Sequence, residues 1–338
     1  MTIELLFYIF ICFLSLLFVF IEKREEYLSR KKFHLAFFIG VIWFVIVRVS
    51  GFDIDIAVYS KYLENDMSIF LMLSNLYFLR EFVFWIPFML LGKLIQNEIL
   101  VFLIIDIIVL YYFIKTVQNF KLPLHTFFLL LCFFPNMMGY ENVYRQYISI
   151  IFVLYAISLA GINKTLYKSL IYLMIAGFCH NLAFLFVPII LFLKNKIKLG
   201  FAVSLLIYLS LPIVASSKSE GETGDVPAYF FVGTIFVLGI IYLTINLLKP
   251  NKIGFYILLF ITFLSIESLL ILTGVASKRI VMSILNVIVI FTLKSLQESK
   301  YDLKSYYLIL IVLNLFMLLP SYLSKSSLQM LLTSNFKI

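Results

Sequence analysis

The sequence predicts an all-α, polytopic integral membrane protein that forms a single transmembrane domain over residues 1–338. Hydrophobic residues make up 63% of the chain and charged residues only 13%, and the mean hydropathy is +1.06. A soluble domain of this length needs far more polar surface than that. At one helix per ~20 apolar residues, the apolar runs supply about 10–13 transmembrane helices.

The predicted spans follow one another with short polar connections. The first apolar run has no basic segment before it and no small-residue cleavage site after it, so we interpret it as a span and not as a signal peptide. The spans are expected at residues 5–21, 33–47, 82–94, 99–112, 124–134, 147–160, 169–178, 182–193, 201–214, 229–248, 253–272, 280–293 and 306–319.

Lysine and arginine residues predict the orientation of these spans. The densest basic cluster, at residues 23–32, follows the first span, which places this cluster in the cytoplasm and the N-terminus outside. We attribute the net charge of +9 to this rule and to lipid headgroups, and not to nucleic-acid binding. Two segments are expected outside: a loop at 50–81 with an interfacial helix at 69–79, and a flexible loop at 215–228.

The central motif region, residues 135–181, places polar side chains at a depth that lipid would reject. A charged group there usually faces a partner or a wet cavity. Pro135 and Gly139 are expected to end the preceding helix and to leave the polar run after them at the start of the next one. On that helix Glu141 and Arg145 would lie one turn apart and form a pair.

The position of Arg145 conflicts with the simple count of crossings, which places it inside the cell. Two irregular segments would move it outside. The short run 124–134 would be re-entrant, and the run 169–193 would break at His180 into two halves. Asp106, in the middle of a predicted span, is expected to make a polar contact with another helix and not to relay protons.

The candidate site residues carry charge or hydrogen-bonding groups and gather on the predicted external face. Arginine holds phosphate oxygens with paired N–H donors, which favours an anionic ligand such as a lipid diphosphate. A histidine and carboxylates beside the arginines can move a proton. The three Cys residues are scattered through apolar runs, which predicts neither a metal site nor a disulfide framework from them. No cofactor is predicted. The candidates are Arg48, Asp53, Asp55, Tyr59, Arg80, Glu81, Glu141, Asn142, Tyr144, Arg145, Gln146, His180 and Arg279.

These motifs resemble those of the bacterial polysaccharide polymerases of the Wzy/EpsG type. That family pattern has an acidic loop with a Tyr after the second span, a Glu opening the third, an N-x-x-R-Q run, an F-x-H run and a late Arg. The resemblance covers about residues 48–290, and Asn181 departs from it, since a small residue is usual there. The matching residues are Asp53, Asp55, Tyr59, Glu81, Asn142-Val143-Tyr144-Arg145-Gln146, Phe178-Cys179-His180 and Arg279.

The resemblance implies a C-type glycosyltransferase fold in the bacterial cytoplasmic (inner) membrane, active at its outer face. Such an enzyme transfers a growing glycan from one undecaprenyl diphosphate onto a lipid-linked repeat unit, and a partner protein can set the chain length. It implies that Arg145 and Arg279 stabilise the leaving diphosphate. His180 or Glu141 would accept the hydroxyl proton, and the remaining candidates would bind substrate.

Plainer interpretations and other functions remain open at this point. Arg145 and Arg279 would also fit as long side chains that extend to the membrane interface. His180 would also fit as a donor in an interhelical hydrogen bond. Asp53 and Asp55 would also fit in a solvated loop. A lipid-linked oligosaccharide flippase should show two similar halves, which the sequence lacks. A membrane acyltransferase would use a His and an Asn at membrane depth but would need a cytoplasmic acyl-donor site. A non-catalytic assembly subunit is the third alternative.

Overall fold

The fold is described from a computed structural model, which covers residues 2–22, 27–51, 54–64, 74–162, 165–215, 226–247, 251–299 and 301–323. Within these ranges the chain is α-helical, with one 3₁₀ segment at Asn181–Phe186 and no β-strand. The helices are α1 Ile3–Ile21, α2 Arg30–Ser50, α3 Ile54–Glu64, α4 Leu76–Leu79, α5 Phe82–Ile95, α6 Glu98–Asn119, α7 Leu124–Cys132, α8 Phe134–Glu141, α9 Tyr144–Gly161, α10 Leu166–Cys179, α11 Val187–Leu193, α12 Ile197–Ala215, α13 Ala228–Asn246, α14 Lys252–Ile271, α15 Gly274–Gln297 and α16 Leu303–Leu323.

Helix length and composition confirm the predicted all-α, multi-pass membrane protein. Seven of the described helices are long and apolar enough to cross a membrane: α1, α2, α6, α9, α13, α14 and α15. The shorter apolar segments at 82–95, 166–179, 181–193, 197–212 and 303–318 lie between or beside them.

Polar residues in the connections set where several helices begin. The side chains of Thr2, Ser29, Asn97 and Asn251 each accept a hydrogen bond from a backbone N–H in the first turn of the helix that follows. These side chains satisfy N–H groups that a helix start leaves without intrahelical partners. At the other end of α5, Gln96 adopts a left-handed conformation with φ 53°, which stops the helix.

Helices α2 and α6 are antiparallel and define the two ends of the bundle. Near the end of α2, Arg48 bonds Asp106 of α6 at 2.7 Å. Near its start, the ring of Phe33 lies 5.1 Å from Lys115 Nζ of α6. We call the end of the bundle where Arg48 lies the Arg48 end. Glu22 lies near Lys32 at the start of α2, so we call the opposite end the Glu22 end. The chain from 51 to 97 therefore starts and finishes at the Arg48 end, and the separate crossing predicted at 82–94 is wrong.

Helices α7 and α8 cross the bundle together, so the predicted re-entrant segment at 124–134 is also wrong. The N–H of His125, at the start of α7, donates to Glu22 at 3.0 Å. The carbonyl of Tyr140, near the end of α8, accepts from Arg48 at 2.9 Å. The next helix, α9, then begins at the Arg48 end. Without a crossing at 82–94, the count of crossings places Arg145 at the Arg48 end as well.

Helix α10 returns antiparallel to α9 and brings His180 to the Arg48 end. The rings of Tyr155 and Tyr172 lie 4.7 Å apart, and Ser149 Oγ donates to the carbonyl of His180 at 3.2 Å. The predicted break at His180 is present, because α10 ends at Cys179 and a 3₁₀ turn follows. The loss of helical regularity there leaves His180 in an extended conformation, with φ −158° and ψ 122°.

The C-terminal helices complete the bundle. Helix α15 is parallel to α9: Gln146 contacts Arg279 near one end, and Phe291 contacts Phe120 near the other, with ring centroids 6.1 Å apart. Tyr307 of α16 donates to the carbonyl of Glu22 at 3.0 Å, so α15 finishes and α16 begins at the Glu22 end. Arg279 therefore lies at the Arg48 end.

Some predicted features fall wholly or partly outside the described residues. Asp53 and most of the 215–228 loop lie there, as does the first part of the interfacial helix predicted at 69–79, of which α4 is the described part. Asp55 lies at the second position of α3.

Candidate functional site

Arg145 is the centre of a polar cluster at the Arg48 end. Its Nη1 forms an ion pair with Oε2 of Glu81, and its Nε donates to the hydroxyl of Tyr59 at 3.0 Å. The guanidinium carbon lies 5.4 Å from the centre of the Tyr59 ring and 5.3 Å from that of Trp85. Three chain segments that are far apart in sequence, in α3, at the start of α5 and in α9, therefore meet at one cation.

The cluster is largely enclosed. The side chain of Glu81 is 2% exposed and that of Arg145 is 13% exposed. Aromatic rings form the enclosing wall, with Trp85 in edge contact with Tyr59 at 5.7 Å and with Phe84 at 5.1 Å. In such surroundings a guanidinium gains from both its carboxylate and the ring faces. These contacts fix the orientation of the Arg145 side chain, whereas a side chain that extends to the membrane interface would be free to move.

The F-x-H run lies beside this cluster. The ring of Phe178 contacts Phe82, the residue after Glu81, with centroids 4.9 Å apart. His180 itself is buried. Its Nδ1 accepts the backbone N–H of Leu182 at 3.4 Å, which caps the 3₁₀ turn. The acceptor role of Nδ1 assigns the hydrogen of the neutral ring to Nε2, so Nε2 of the neutral ring is a hydrogen-bond donor.

Arg48 belongs to a separate, buried network. Its Nε and Nη2 donate to the two oxygens of Asp106 at 2.7 and 3.2 Å, and the hydroxyl of Tyr144 donates to the same carboxylate at 2.8 Å. Both side chains of the ion pair are 0% exposed. Asp106 makes the interhelical contact that the sequence predicts, with Arg48 as its partner. Arg48 and Tyr144 face the bundle interior, so the substrate-binding role predicted for them does not fit their position.

Glu141 does not pair with Arg145 on one helix, which corrects another prediction. Helix α8 contains both Pro135 and Gly139 and ends at Glu141, and the break comes at Asn142 and Val143. The one-turn spacing rule applies only within a continuous helix. Glu141 is buried and acts electrostatically on Arg48, while Arg145 pairs with Glu81.

Gln146 connects α9 to the start of α15. Its Nε2 donates to the carbonyl of Arg279 at 2.6 Å and to Ser283 Oγ at 2.9 Å. Arg279 is half-buried, and its guanidinium forms no ion pair with any residue that the structure describes. Of the two arginines predicted to bind diphosphate, Arg279 is therefore the one whose charge no described carboxylate balances.

The remaining candidates are less informative. Arg80 is exposed, and Asn142 is half-buried at the α8–α9 break. No group of three or more His, Cys, Asp or Glu side chains is placed to hold a metal ion within the described ranges. The three cysteines, Cys12, Cys132 and Cys179, are free and buried.

Two site residues were missed at the sequence level. Trp85 lies one helical turn after Glu81, and that spacing could have indicated that both face Arg145. Ser149 lies one turn after Arg145, and its hydroxyl donates to the carbonyls of Ala176 at 2.9 Å and His180 at 3.2 Å. A lone Ser in an apolar run carries no signal of that kind.

Comparison with known proteins identifies no relative: no protein-family model, no curated protein and no solved structure matches this chain.

Proposed function

We propose that this protein is a polysaccharide polymerase, a C-type glycosyltransferase that joins undecaprenyl-diphosphate-linked oligosaccharide repeat units at the outer face of the bacterial cytoplasmic membrane. The observation that carries the proposal is the convergence of motif residues from separate segments. Tyr59, Glu81 and Arg145 are in direct contact, and Phe178 contacts the residue next to Glu81.

The distribution of charge supports an external site. Lysines lie where the chain turns at the Glu22 end, including Lys252 at the start of α14 and Lys294 over the ring of Phe120. Lysine-rich connections favour the cytoplasmic side. With the Glu22 end in the cytoplasm, the Arg48 end, with Arg145, His180 and Arg279, lies toward the outer face of the membrane, where the proposed reaction would join lipid-linked repeat units.

The reaction is a displacement at the anomeric carbon of the donor glycan. The hydroxyl oxygen of the acceptor sugar forms a bond to that carbon, and the bond from the carbon to the lipid diphosphate breaks. The electron pair leaves with the diphosphate, and the hydroxyl proton passes to a carboxylate. No electron acceptor or donor is needed, because the oxidation states of the products match those of the substrates.

The contacts suggest a division of roles among the basic residues. Arg279, whose charge no described carboxylate balances, holds the leaving diphosphate and stabilises its developing charge. Arg145 is already neutralised by Glu81, so it orients that carboxylate, which receives the hydroxyl proton. His180 donates a hydrogen bond from Nε2 to the substrate or to the leaving group, in place of the base role predicted from sequence.

Purified protein incubated with lipid-linked repeat units tests the proposal. We expect a ladder of glycans that differ by one repeat unit. One molecule of undecaprenyl diphosphate should be released for each glycosidic bond formed. Movement of the lipid-linked unit across vesicle bilayers without any lengthening would identify a flippase instead. Transfer of an acyl group in place of a glycan would identify an acyltransferase, and either result would overturn the proposal.

A further inference from the structure

A groove lies between the end of α13 and the start of α14, at the Glu22 end. The volume open to the centre of a water molecule is about 540 Å³, within the range of roughly 300–1,000 Å³ that is usual for small-molecule sites. Leu243 and Leu247 of α13 line one side, and Phe255 and Tyr256 of α14 line the other. A groove of this size with a mainly apolar lining suits an elongated apolar ligand.

The apolar side chains of the groove are exposed where lipid would surround the protein. Leu247 is 74% exposed, and Leu243 and Phe255 are 40% and 45% exposed. Helices α13 and α14 are both long and apolar enough to cross a membrane, and apolar side chains exposed on such helices face acyl chains. The acyl chain of a phospholipid is therefore the occupant that the surroundings supply.

Lys252 lies at the polar edge of the groove. Its side chain is exposed and forms part of the lining, three positions before Phe255 and so about one helical turn nearer the helix end. A lysine at the end of a membrane helix extends its ammonium group to the level of the lipid headgroups. Lys252 forms no ion pair with any residue that the structure describes.

The helices around the groove carry lysines and almost no acidic residues. The rings of Phe192 in α11 and Phe201 in α12 lie 6.1 and 5.4 Å from the ring of Tyr256, so the turn between α11 and α12 lies beside the groove. The lysines in and next to that turn are Lys194, Lys196 and Lys198. In α11 to α14 the one acidic residue is Glu267, about 22 Å along α14 from Lys252.

One carboxylate from outside these four helices comes near the groove. Glu298, the residue after α15, acts electrostatically on Tyr242, which also lines the groove. Glu298 pairs with Lys294 at 4.0 Å, and this pairing offsets its charge. The charge around the groove is therefore positive, and it complements a phosphate group.

We propose that this groove binds an anionic phospholipid of the phosphatidylglycerol class. One acyl chain lies along Leu243, Leu247 and Phe255, and a phosphate oxygen accepts a hydrogen bond from Lys252 Nζ. Basic side chains at the membrane surface attract anionic lipids in general, and the groove adds a fixed position for the chain. This inference depends on the membrane fold and not on the proposed polymerase activity.

Quenching of an introduced tryptophan by brominated phospholipids tests the headgroup preference. Leu247→Trp places the reporter at the groove, and the native Trp43 and Trp85 are fully buried, so they add a constant background. In mixed vesicles, we expect brominated phosphatidylglycerol to bind at this reporter about fivefold more tightly than brominated phosphatidylcholine, the ratio that one nearby lysine supplies. Adding Lys252→Gln should bring the ratio close to one.

Leu308→Trp is the matched control for this reporter. Leu308 is 63% exposed on α16, which begins at the same end of the bundle, and it does not line the groove. The ratio of the two lipids should be close to one there. Equal ratios at the two reporters would overturn the proposal, because the preference would then belong to the whole surface. A ratio at Leu247→Trp that Lys252→Gln leaves unchanged would also overturn it.

Mass spectrometry of the intact protein in detergent tests whether the lipid chain lies in the groove. Leu243→Trp fills the groove, whereas Ile240→Trp adds the same ring one turn earlier, at a residue that is 63% exposed and outside the lining. With phosphatidylglycerol added, the Ile240→Trp protein should retain one lipid as wild type does, and the Leu243→Trp protein should lose it. Equal retention by both variants would contradict the inference. A dimer in place of the lipid complex, removed by Leu243→Trp, would assign the groove to a second copy of the chain instead.

Discussion

Arg145 forms its ion pair with Glu81, which lies 64 positions earlier in the chain, and not with Glu141 on its own side of the α8–α9 break. The pair joins the start of α5 to the start of α9. Tyr59 and Trp85 hold the same guanidinium, one by a hydrogen bond and both through their ring faces. The site therefore depends on the planar shape of arginine as well as on its charge.

Replacing Arg145 tests that dependence on shape. Arg145→Lys keeps the charge but cannot donate to Glu81 and Tyr59 together from a planar group, so we expect nearly as little polymer as from Arg145→Ala. The measurement is the glycan ladder made by equal amounts of purified wild-type and variant protein. Lys294→Arg, at the opposite end of the bundle, is the control and should give wild-type polymer. A wild-type ladder from Arg145→Lys would leave Arg145 with a role as an interface anchor only.

The buried pair of Arg48 and Asp106 predicts a loss of stability. Asp106→Asn removes the charge of the carboxylate that the buried guanidinium of Arg48 bonds directly, and breaking a buried pair in this way costs about 3–5 kcal/mol. Thermal unfolding in detergent measures the effect. The double variant Arg48→Met with Asp106→Leu should recover much of the loss, because it removes both charges together.

An exposed pair provides the comparison for this prediction. Lys294 and Glu298 lie 4.0 Å apart at the end of α15, with both side chains partly or largely exposed. Exposed pairs contribute roughly 0–1 kcal/mol, so Glu298→Gln should barely change unfolding. A loss from Asp106→Asn no larger than that from Glu298→Gln would mean that the interior pair is solvated and not buried.

Sequence reasoning predicted the membrane fold, the break at His180 and a polar partner for Asp106, because hydropathy and isolated charges in apolar runs carry those signals. It misplaced the crossing at 82–94, since a 14-residue apolar helix looks the same whether it crosses or stays at one end. It also paired Glu141 with Arg145. The break that separates them falls at Asn142 and Val143, where no Pro or Gly marks it.

A second buried carboxylate predicts how stability depends on pH. Glu22 accepts hydrogen bonds from the backbone N–H groups of Leu124 and His125, from His125 Nδ1 and from Lys32 Nζ. Burial acts to raise the pKa of Glu22, but the hydrogen bonds and charge of His125 and the bond from Lys32 outweigh it and hold that pKa below its ordinary value.

The sign of the effect follows from linkage. A carboxylate whose pKa is lowered by folding stabilises the folded state fully above its unfolded pKa of about 4.3. That contribution is lost as the pH falls through the folded pKa. We expect the unfolding temperature of wild type to fall more steeply below pH 4.3 than that of Glu22→Gln. Parallel curves for the two proteins below that pH would contradict the role given to Glu22.

Cysteine labelling tests which face each end of the bundle occupies. The native cysteines are buried, so an introduced one should dominate the signal. Ser74→Cys lies in the exposed part of the 51–97 segment, and Lys252→Cys lies at the exposed start of α14. A membrane-impermeant maleimide added to intact cells should label the first and spare the second. The reverse pattern would place the Arg145 cluster in the cytoplasm and exclude joining of repeat units outside.

The last prediction concerns His180, whose Nδ1 accepts from Leu182 N–H and whose Nε2 therefore carries the hydrogen of the neutral ring. A nitrogen that already bears hydrogen cannot take the proton of the acceptor hydroxyl. Asparagine can reproduce both functions, because its oxygen accepts from the N–H two residues on and its amide donates. His180→Asn should therefore retain activity within about tenfold, whereas loss of a general base would cost roughly 10²–10⁴.

His180→Ala, which loses both the cap and the donor, should be the weaker of the two variants. The pH dependence of the polymerisation rate separates the two roles further. If His180 only positions the substrate, the His180→Asn variant should keep the same shape of pH–rate profile as wild type. A drop of 10³ in that variant, with folding intact and the profile altered, would restore His180 to the role of base.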